Sequence, residues 1–336
     1  MPNIKDIAKA AGVSTSTVSR VLNNNPLISL ETRKHVLKVM RDFNYVPNSM
    51  ARGLSNQKAS TVALLVDMDD SPSFDNLFFH KVMYGIENAL FKNNLSLVIC
   101  NLQASGNRKK RLNSMVQGKH IQGAILPSLL LGSDLVNTLK KQEFPFVVLG
   151  EPENIAVPFD WVDINNAQGG QQAVGYLIEK GYRRIAFLRG RKTIFNRNRL
   201  LGYQAMLKQS NSPFDERLIA ECDGSKDSAY REILRLLTLL SPPDAVICGD
   251  NVMSIGAMKA IREKGRKIPH DIGIISFDNY PMAELVEPTL TTVDIDLYEM
   301  GVEAVKLLLR RIENPAASHQ VSLISTSLQV RESTRA

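Results

Sequence analysis

The feature that most constrains the fold is the alternation of short β-rich runs with helical patterns after residue 60. This alternation predicts parallel sheets covered by helices on both faces, because a helix makes each crossover between parallel strands. The predicted strands are 61–66, 96–100, 123–126, 146–149, 161–164, 184–188, 218–221, 245–248 and 272–277. The predicted helices between them are 79–93, 169–180, 199–209, 228–240, 254–263 and 298–312.

Residues 61–336 are too many for one compact core, so this α/β region should divide into two lobes. In open parallel sheets, ligands bind beyond the carboxyl ends of the strands. We therefore expect a ligand in the cleft between the two lobes.

The positive charge of the chain is concentrated at its N-terminus. Residues 1–58 hold nine Lys and Arg but only three Asp and Glu, and so carry most of the net charge of +7. A small basic module on a nearly neutral body is typical of a protein that binds a polyanion, although a basic solvated surface would look the same.

The basic segment has a helix-turn-helix pattern. Asn3 can cap a first helix, Gly12 can end it, and Ser14 can cap a second helix over 15–22. A third helix is predicted from 29 to about 43, and the expected inward residues of the last two helices are Val18, Val21, Leu22, Val36, Met40 and Phe43. This spacing indicates a DNA-binding motif whose second helix enters the major groove.

The outward residues of the second helix are short and polar and end in an arginine. Thr15 and Ser16 can form hydrogen bonds with base edges or phosphates, and the Arg20 guanidinium can form a bidentate contact with guanine. We expect these three residues to contact DNA, although the hydroxyls could instead serve only as helix caps.

Residues 45–54 form a short helical pattern that begins near Pro47 and contains Gly53. Such a segment is too short to be a stable helix alone, so its helicity should depend on a partner. A polar linker follows over 55–60.

The runs Ile4-Lys5-Asp6-Ile7-Ala8-Lys9-Ala10-Ala11-Gly12-Val13-Ser14 and Thr17-Val18-Ser19-Arg20-Val21-Leu22-Asn23 resemble the headpiece of the lactose/galactose repressor family. The segment 45–54 is similar to the hinge helix of that family. The resemblance implies that Leu54 wedges into a central minor-groove step, with Asn48 and Ala51 beside it. Alternatively, Leu54 is a linker residue that packs on the next domain.

The resemblance continues through the remaining chain, most clearly over 169–188, 268–278, 288–293 and 330–334. It implies an effector domain with the two-lobed fold of periplasmic sugar-binding proteins. The expected organisation is a headpiece over 1–46, a hinge and linker over 47–60, and an effector and dimerisation domain over 61–336. With lobe crossings near Trp161, Leu290 and Leu323, the first lobe comprises about 61–161 and 291–323, and the second about 162–290 and 324–336.

Positions that match the family's binding residues predict the effector contacts. Asp250 and Asp278 follow strand ends and can accept hydroxyl protons, and Arg199 can donate a bidentate fork. Asn76 and Phe78 lie in one run, and an aromatic face can pack on a sugar ring or a base. Asp278 could instead be a helix cap and Phe78 a core residue.

Two further observations concern the cleft. The family usually has Asn-Asp after the strand that ends at Cys248, whereas this chain has Asp250-Asn251, so the effector's identity cannot be transferred. The acidic run 149–153 is interpreted as solvated.

Several classes of protein are excluded by missing patterns. The chain has no GxGxxG after a strand, no GxxxxGK[ST] and no GxSxG, and its five histidines lack metal-ligand spacing. We therefore expect no enzyme activity, cofactor or metal. The three cysteines are expected to be buried thiols. The polar N-terminus has no signal-peptide core and no run could span a membrane, which predicts a cytoplasmic location.

These observations predict a repressor of a carbohydrate-utilisation operon that binds double-stranded DNA at a palindromic operator under the control of a small sugar. The chain shows no heptad repeat before Ala336 that would form a C-terminal coiled segment like the one that makes the lactose repressor a tetramer. A homodimer is therefore expected. The alternatives are a purine-responsive or sugar-phosphate-responsive repressor, or a regulator that uses a protein co-regulator.

Overall fold

The chain forms two compact units, Met1–Ser60 and Thr61–Ala336. A computed structural model describes residues 2–22, 25–45, 59–66, 77–102, 108–131, 133–153 and 158–335.

The described residues of the N-terminal unit form three helices, α1 (Ile4–Ala10), α2 (Thr15–Leu22) and α3 (Leu30–Asp42). Asn3 and Asp6 form a capping box at α1, and the Ser14 hydroxyl accepts the backbone N–H of Thr17 at 3.1 Å. Gly12 has a φ of +63°, a conformation that glycine adopts without steric cost.

Apolar side chains from the three helices meet in one small core. Ile7, Val18 and Val36 have no exposed surface, and Val21 and Met40 are also buried. The expectation that Phe43 faces inward is wrong: this residue is 46% exposed. It follows the last residue of α3 as its C-cap, so it lies beyond the buried face of the helix.

The first lobe of the larger unit is built on a six-stranded parallel sheet of order β11-β5-β4-β3-β1-β2. Its strands are β1 (Thr61–Val66), β2 (Ser96–Asn101), β3 (Gly123–Pro127), β4 (Phe146–Leu149), β5 (Asp160–Ile164) and β11 (Val321–Ile324). Its helices are α4 (Leu77–Lys92), α5 (Arg108–Gln117), α6 (Ser133–Lys141) and α12 (Leu297–Glu313).

The second lobe has a six-stranded sheet of order β12-β10-β9-β8-β6-β7, in which only β12 is antiparallel to its neighbour. Its strands are β6 (Ile185–Arg189), β7 (Ile219–Glu221), β8 (Ala245–Cys248), β9 (Gly273–Phe277), β10 (Thr291–Ile295) and β12 (Thr326–Gln329). Its helices are α7 (Asn166–Glu179), α8 (Ile194–Gln209), α9 (Lys226–Leu237), α10 (Asn251–Glu263) and α11 (Met282–Leu285).

The chain passes between the lobes three times, after β5, after β10 and between β11 and β12. The passage expected near Leu290 lies after Ile295 instead, because β10 pairs with β9 and β12 of the second sheet. Residues 291–295 therefore lie in the second lobe, and residues 162–164 complete β5 in the first.

Alternate residues of one strand enter different cores. In β1, Val62 and Leu64 pack in one cluster, while Ala63 and Leu65 pack in another on the opposite face. Helices thus cover both faces of the sheet, which explains why its strands read as continuous apolar runs. In the part of the chain that the structure describes, no helix is long and apolar enough to cross a membrane.

Two glycines allow α7 and α8 to approach each other closely. A Cβ atom at Gly202 would overlap the carbonyl oxygen of Ala167, and one at Gly170 would overlap that of Arg199. Only glycine therefore permits this helix contact, which fixes the position of Arg199 at the edge of the second sheet.

Candidate functional site

Arg199 lies at the carboxyl ends of β8 and β9 in the second lobe, next to Asn198, which bonds to Glu151 of the first lobe. Arg199 belongs to α8 and is only 5% exposed. Its Nε donates to Asn166 Oδ1 at 2.9 Å, its Nη1 donates to the Gly249 carbonyl at 2.7 Å, and its Nη2 lies 3.3 Å from Asp278 Oδ1. The guanidinium also stacks 4.1 Å from the ring centre of Phe277. These contacts fix the orientation of the group.

Asp278 directly follows β9 and has a left-handed backbone, with a φ of +70°. Its amide donates to the Val293 carbonyl at 3.1 Å, and its own carbonyl lies 2.7 Å from Asn251 Nδ2. An aspartate tolerates this conformation better than most residues, but at a cost. The backbone contacts hold the carboxylate against Arg199. Of the described contacts, none is a helix cap made by the Asp278 side chain.

Asp250 lies at the carboxyl end of the neighbouring strand and caps α10. One of its carboxylate oxygens accepts the Met253 amide at 2.7 Å. The neighbouring Asn251 is buried and lies within hydrogen-bond distance of Ser276 Oγ and Phe277 O as well as Asp278 O. In the order Asp250-Asn251, the first residue therefore caps the helix and the second positions Asp278.

Burial raises the pKa of both Asp250 and Asp278 above the usual value for an aspartate, and the nearby Arg199 partly offsets this in each case. Asp278 also raises the pKa of Asp250 by charge repulsion. The cleft therefore holds acidic groups that are costly to ionise without a partner. Hydroxyl hydrogens or a cation would stabilise their charged forms.

The first lobe contributes Phe78 and Lys81 from α4. Phe78 is half-buried and packs against the apolar core of that lobe. Tyr280, two residues after Asp278, packs against the same core and lies 5.7 Å below the Lys81 ammonium. Burial and the charge of Asp278 raise the pKa of the Tyr280 hydroxyl, which places this tyrosine beside the acidic groups of the cleft.

Two more carboxyl groups enter the cleft from the first lobe. Asp163 lies in β5 and accepts the Glu151 amide at 2.9 Å and the Ile164 amide at 2.7 Å. Burial raises the pKa of Asp163, and the charge of Glu151 raises it further. The interpretation of Glu151 as solvated is wrong, because its carboxylate accepts a hydrogen bond from Asn198 of the second lobe at 2.6 Å. The half-buried side chain bridges the lobes.

The second helix of the N-terminal unit presents a separate polar surface. Thr15, Ser16 and Arg20 are all exposed on α2, while Val18 and Val21 face the core. The Ser14 hydroxyl lies 2.7 Å from that of Ser16, so the first turn presents ordered hydroxyls. The predicted DNA contacts Asn48, Ala51 and Leu54, and the predicted effector contact Asn76, lie outside the described residues.

Family models and curated relatives match the chain in both units. The model for "Bacterial regulatory proteins, lacI family" matches residues 3–48, and that for a periplasmic binding protein-like domain matches residues 174–334. The transcriptional regulator CelR of Thermobifida fusca is 33% identical over 99% of this chain and 98% of its own. The chain belongs to the lacI family of bacterial regulatory proteins. Catabolite control protein A of Priestia megaterium, another similar protein, is 30% identical over 99% of both chains.

Solved structures of lacI-family proteins have the same fold. A CelR–cellobiose complex is 31% identical, with a TM-score of 0.72 over 99% of this chain and 100% of that one. A lac repressor dimer bound to operator and the anti-inducer ONPF is 25% identical, with a TM-score of 0.78 over 100% of this chain and 99% of that one. These relatives are regulators rather than enzymes, in agreement with the sequence-based expectation.

For this lacI-family member, the structure brings Arg199, Asp250 and Asp278 together and places Phe78 on α4 of the facing lobe. Sequence reasoning missed Asp163, Tyr280, Asn251 and the bridging role of Glu151. Asp163 and Glu151 each lie at or just after a predicted strand end, which is the signal that could have identified them.

Proposed function

We propose that this protein is a transcriptional repressor that binds a palindromic operator as a homodimer and responds to a neutral sugar bound between its lobes. The observation that carries the sugar assignment is the set of buried carboxyl groups at strand ends around Arg199. Sugar hydroxyls donate hydrogen bonds that such carboxylates accept. The CelR–cellobiose complex and a ribose-bound family member provide precedents for this class of ligand.

The geometry favours a sugar over a purine. A purine site needs an accessible aromatic face, but the Phe277 ring is fully buried and its face is covered by the Arg199 guanidinium. Phe195, whose ring centre lies 5.2 Å from the same guanidinium, is 39% exposed and lies on α8. The Phe277 ring is therefore engaged in holding the arginine and offers no free face to a purine.

For DNA recognition, we assign Thr15, Ser16 and Arg20 to base and phosphate contacts from α2. Asn48, Ala51 and Leu54 are assigned to the minor groove on the basis of the sequence resemblance. These assignments place α2 in the major groove and the hinge segment in the minor groove. The protein acts in the cytoplasm, where its operator would be accessible.

A dimer is supported by the lac repressor dimer and by an apolar stripe on α4. Leu77, Tyr84 and Phe91 lie seven residues apart and are 41%, 61% and 75% exposed. Seven-residue spacing places all three on one side of the helix. The effector would change the angle between the lobes and so the separation of the two hinge segments.

The test is fluorescence anisotropy of the full chain on a palindromic duplex from the region upstream of its own gene, at fixed salt. Neutral mono- and disaccharides, including cellobiose and ribose, are added in parallel with sugar phosphates and purines. A shift of operator affinity by one neutral sugar supports the proposal. A shift caused only by a purine, or no shift by any small molecule, would reject the sugar assignment.

An Asp278→Asn variant provides the control for the site. We expect it to bind the duplex like the parent but to lose its response to the sugar, because the amide cannot accept the same pair of hydroxyl protons. A variant that responds normally would place the effector elsewhere.

A further inference from the structure

The loop after β4 is the part of the first lobe that closes on the helix carrying Arg199. Glu151, two residues after Leu149, reaches across to Asn198 of α8, and Asn198 is the residue immediately before Arg199. The bond joins Asn198 Nδ2 to Glu151 Oε2 at 2.6 Å. The Glu151 carboxylate therefore lies beside the proposed effector site.

The backbone at Gly150 and Glu151 is held by hydrogen bonds to β5. The Gly150 amide donates to the Val162 carbonyl at 2.8 Å, and the Glu151 amide donates to Asp163 Oδ2 at 2.9 Å. Gly150 has a φ of +92°, and a Cβ there would lie 2.7 Å from Ser128 Oγ. The turn needs glycine, and it aims the next side chain toward the second lobe.

The Glu151 carboxylate has capacity left for a ligand. Oε2 accepts from Asn198, whereas Oε1 accepts no hydrogen bond from the described residues. A carboxylate has about four lone-pair positions, so Glu151 can receive an effector hydroxyl while it holds Asn198.

Charge in the cleft is unbalanced toward the negative. Among the described residues, the four acids Glu151, Asp163, Asp250 and Asp278 outnumber the two cations of the cleft, Arg199 and Lys81. The Arg199 guanidinium is already bonded to Asn166, Gly249 and Asp278. An incoming phosphate ester would have to approach these acidic groups, and the Arg199 fork is already occupied by partners within the second lobe. In a partly buried site this repulsion is poorly screened.

We propose that Glu151 is a specificity residue: it closes the cleft on Asn198, accepts a hydroxyl of a neutral effector, and excludes the phosphate ester of the same sugar. This inference rests on the proposed sugar response and assigns its charge selectivity to one side chain. Specificity against a related ligand is achieved here by placing a like charge in its path.

The test compares Glu151→Gln with Glu153→Gln in the full chain. Glu153 is exposed on the same loop, so its substitution removes the same charge without touching the cleft. Binding of a neutral sugar and of its phosphate ester is measured by titration calorimetry. Glutamine still accepts from Asn198, so we expect the preference for the neutral sugar to fall at least about tenfold in Glu151→Gln alone. Equal preferences in both variants would overturn the proposal.

A second variant separates charge from closure. Asn198→Ala removes the bridge but leaves the Glu151 charge. It should therefore weaken binding of the neutral sugar while the protein still prefers the neutral sugar over its phosphate ester. Loss of preference in Asn198→Ala, with none in Glu151→Gln, would contradict the assignment.

Inorganic sulfate provides a readout that does not depend on any sugar. We expect sulfate to raise the unfolding temperature of Glu151→Gln more than that of the parent or of Glu153→Gln. The same shift in all three proteins would overturn the proposal. If no sugar binds the parent but sulfate stabilises Glu151→Gln more than the parent, the proposed sugar response is rejected while the proposed charge selectivity of Glu151 is supported.

Discussion

Replacing Arg199 by methionine tests whether the cleft depends on this one buried cation. Methionine keeps much of the side-chain length but removes the hydrogen bonds to Asn166 and Gly249 and the pairing with Asp278. The side chains of Arg199 and Asp278 are 6% and 14% exposed, so the remaining carboxylate is left in a poorly solvated position. Removing one partner of a buried pair costs about 3–5 kcal/mol of the free energy of unfolding, and we expect a loss in that range near neutral pH.

The loss should depend on pH in a defined direction. Burial already raises the pKa of Asp278, and Arg199 lowers it, so removal of Arg199 must raise this pKa further. A group with a raised folded-state pKa contributes stability at low pH that is lost as the pH rises through that pKa. The cost of Arg199→Met should therefore be largest at neutral pH and above, and should shrink as the pH falls and Asp278 takes up a proton.

The assay is urea unfolding followed by circular dichroism at pH 5 and pH 8. Arg197→Met is the matched control, because Arg197 is an exposed residue on the same helix. The double variant Arg199→Met with Asp278→Asn should recover part of the loss, since no unpaired carboxylate remains. A loss below about 1 kcal/mol, equal losses at both pH values, or no recovery in the double variant would refute the reasoning.

Three further outcomes are expected. Gly202→Ala should lower the free energy of unfolding, measured in urea, by about 2–4 kcal/mol, because its Cβ would overlap the Ala167 carbonyl. The control is Gly175→Ala on α7, whose Cβ would lie 3.5 Å from Met206 Cε, and it should be neutral or slightly stabilising. Asp250→Ala should lose about 1 kcal/mol of the free energy of unfolding, because it removes the cap of α10. Asp250→Asn keeps the cap and removes a carboxyl of raised pKa, so its free energy of unfolding should match or exceed that of the parent at pH 8. Equal losses in both variants would exclude the cap. Arg20→Met should weaken operator binding by about 1–3 kcal/mol in anisotropy titrations and leave sugar binding intact; unchanged affinity would remove the base contact.

The strands that sequence reasoning located best are those buried on both faces. β1, β4 and β8 were predicted with their observed bounds, because continuous apolar residues leave little ambiguity. β10 was missed, because it begins with two threonines and contains Asp294. Thr291 and Thr292 are nevertheless fully buried, and their hydroxyls bond to residues near the C-terminus. Polar residues satisfied by distant partners cannot be distinguished from loop residues in the sequence.

The predicted effector contacts Arg199, Asp250 and Asp278 lie close together in the structure. Arg199, Asp250 and Asp278 could be selected from their positions at strand ends and at a helix start, together with the resemblance. The bridge between Glu151 and Asn198 joins residues 47 positions apart on different lobes, so no local sequence pattern predicts it. The start of α8 was also placed five residues late, because the Thr193 cap that begins it precedes a polar, weakly periodic turn.

Several features of the cleft carry a cost to the stability of the fold. Asp250 and Asp278 are carboxyl groups whose charged forms are disfavoured by burial, and Asp278 has a left-handed backbone. Asn251 Oδ1 has no hydrogen-bond partner among the described residues. Such features persist where function requires them, since a core of this size could replace them with apolar residues. A hydroxyl-rich effector would satisfy the acceptors that the protein leaves incompletely paired, so its binding free energy is largest when both lobes contribute. The same unsatisfied groups that weaken the fold therefore provide the free energy with which the effector would close the lobes.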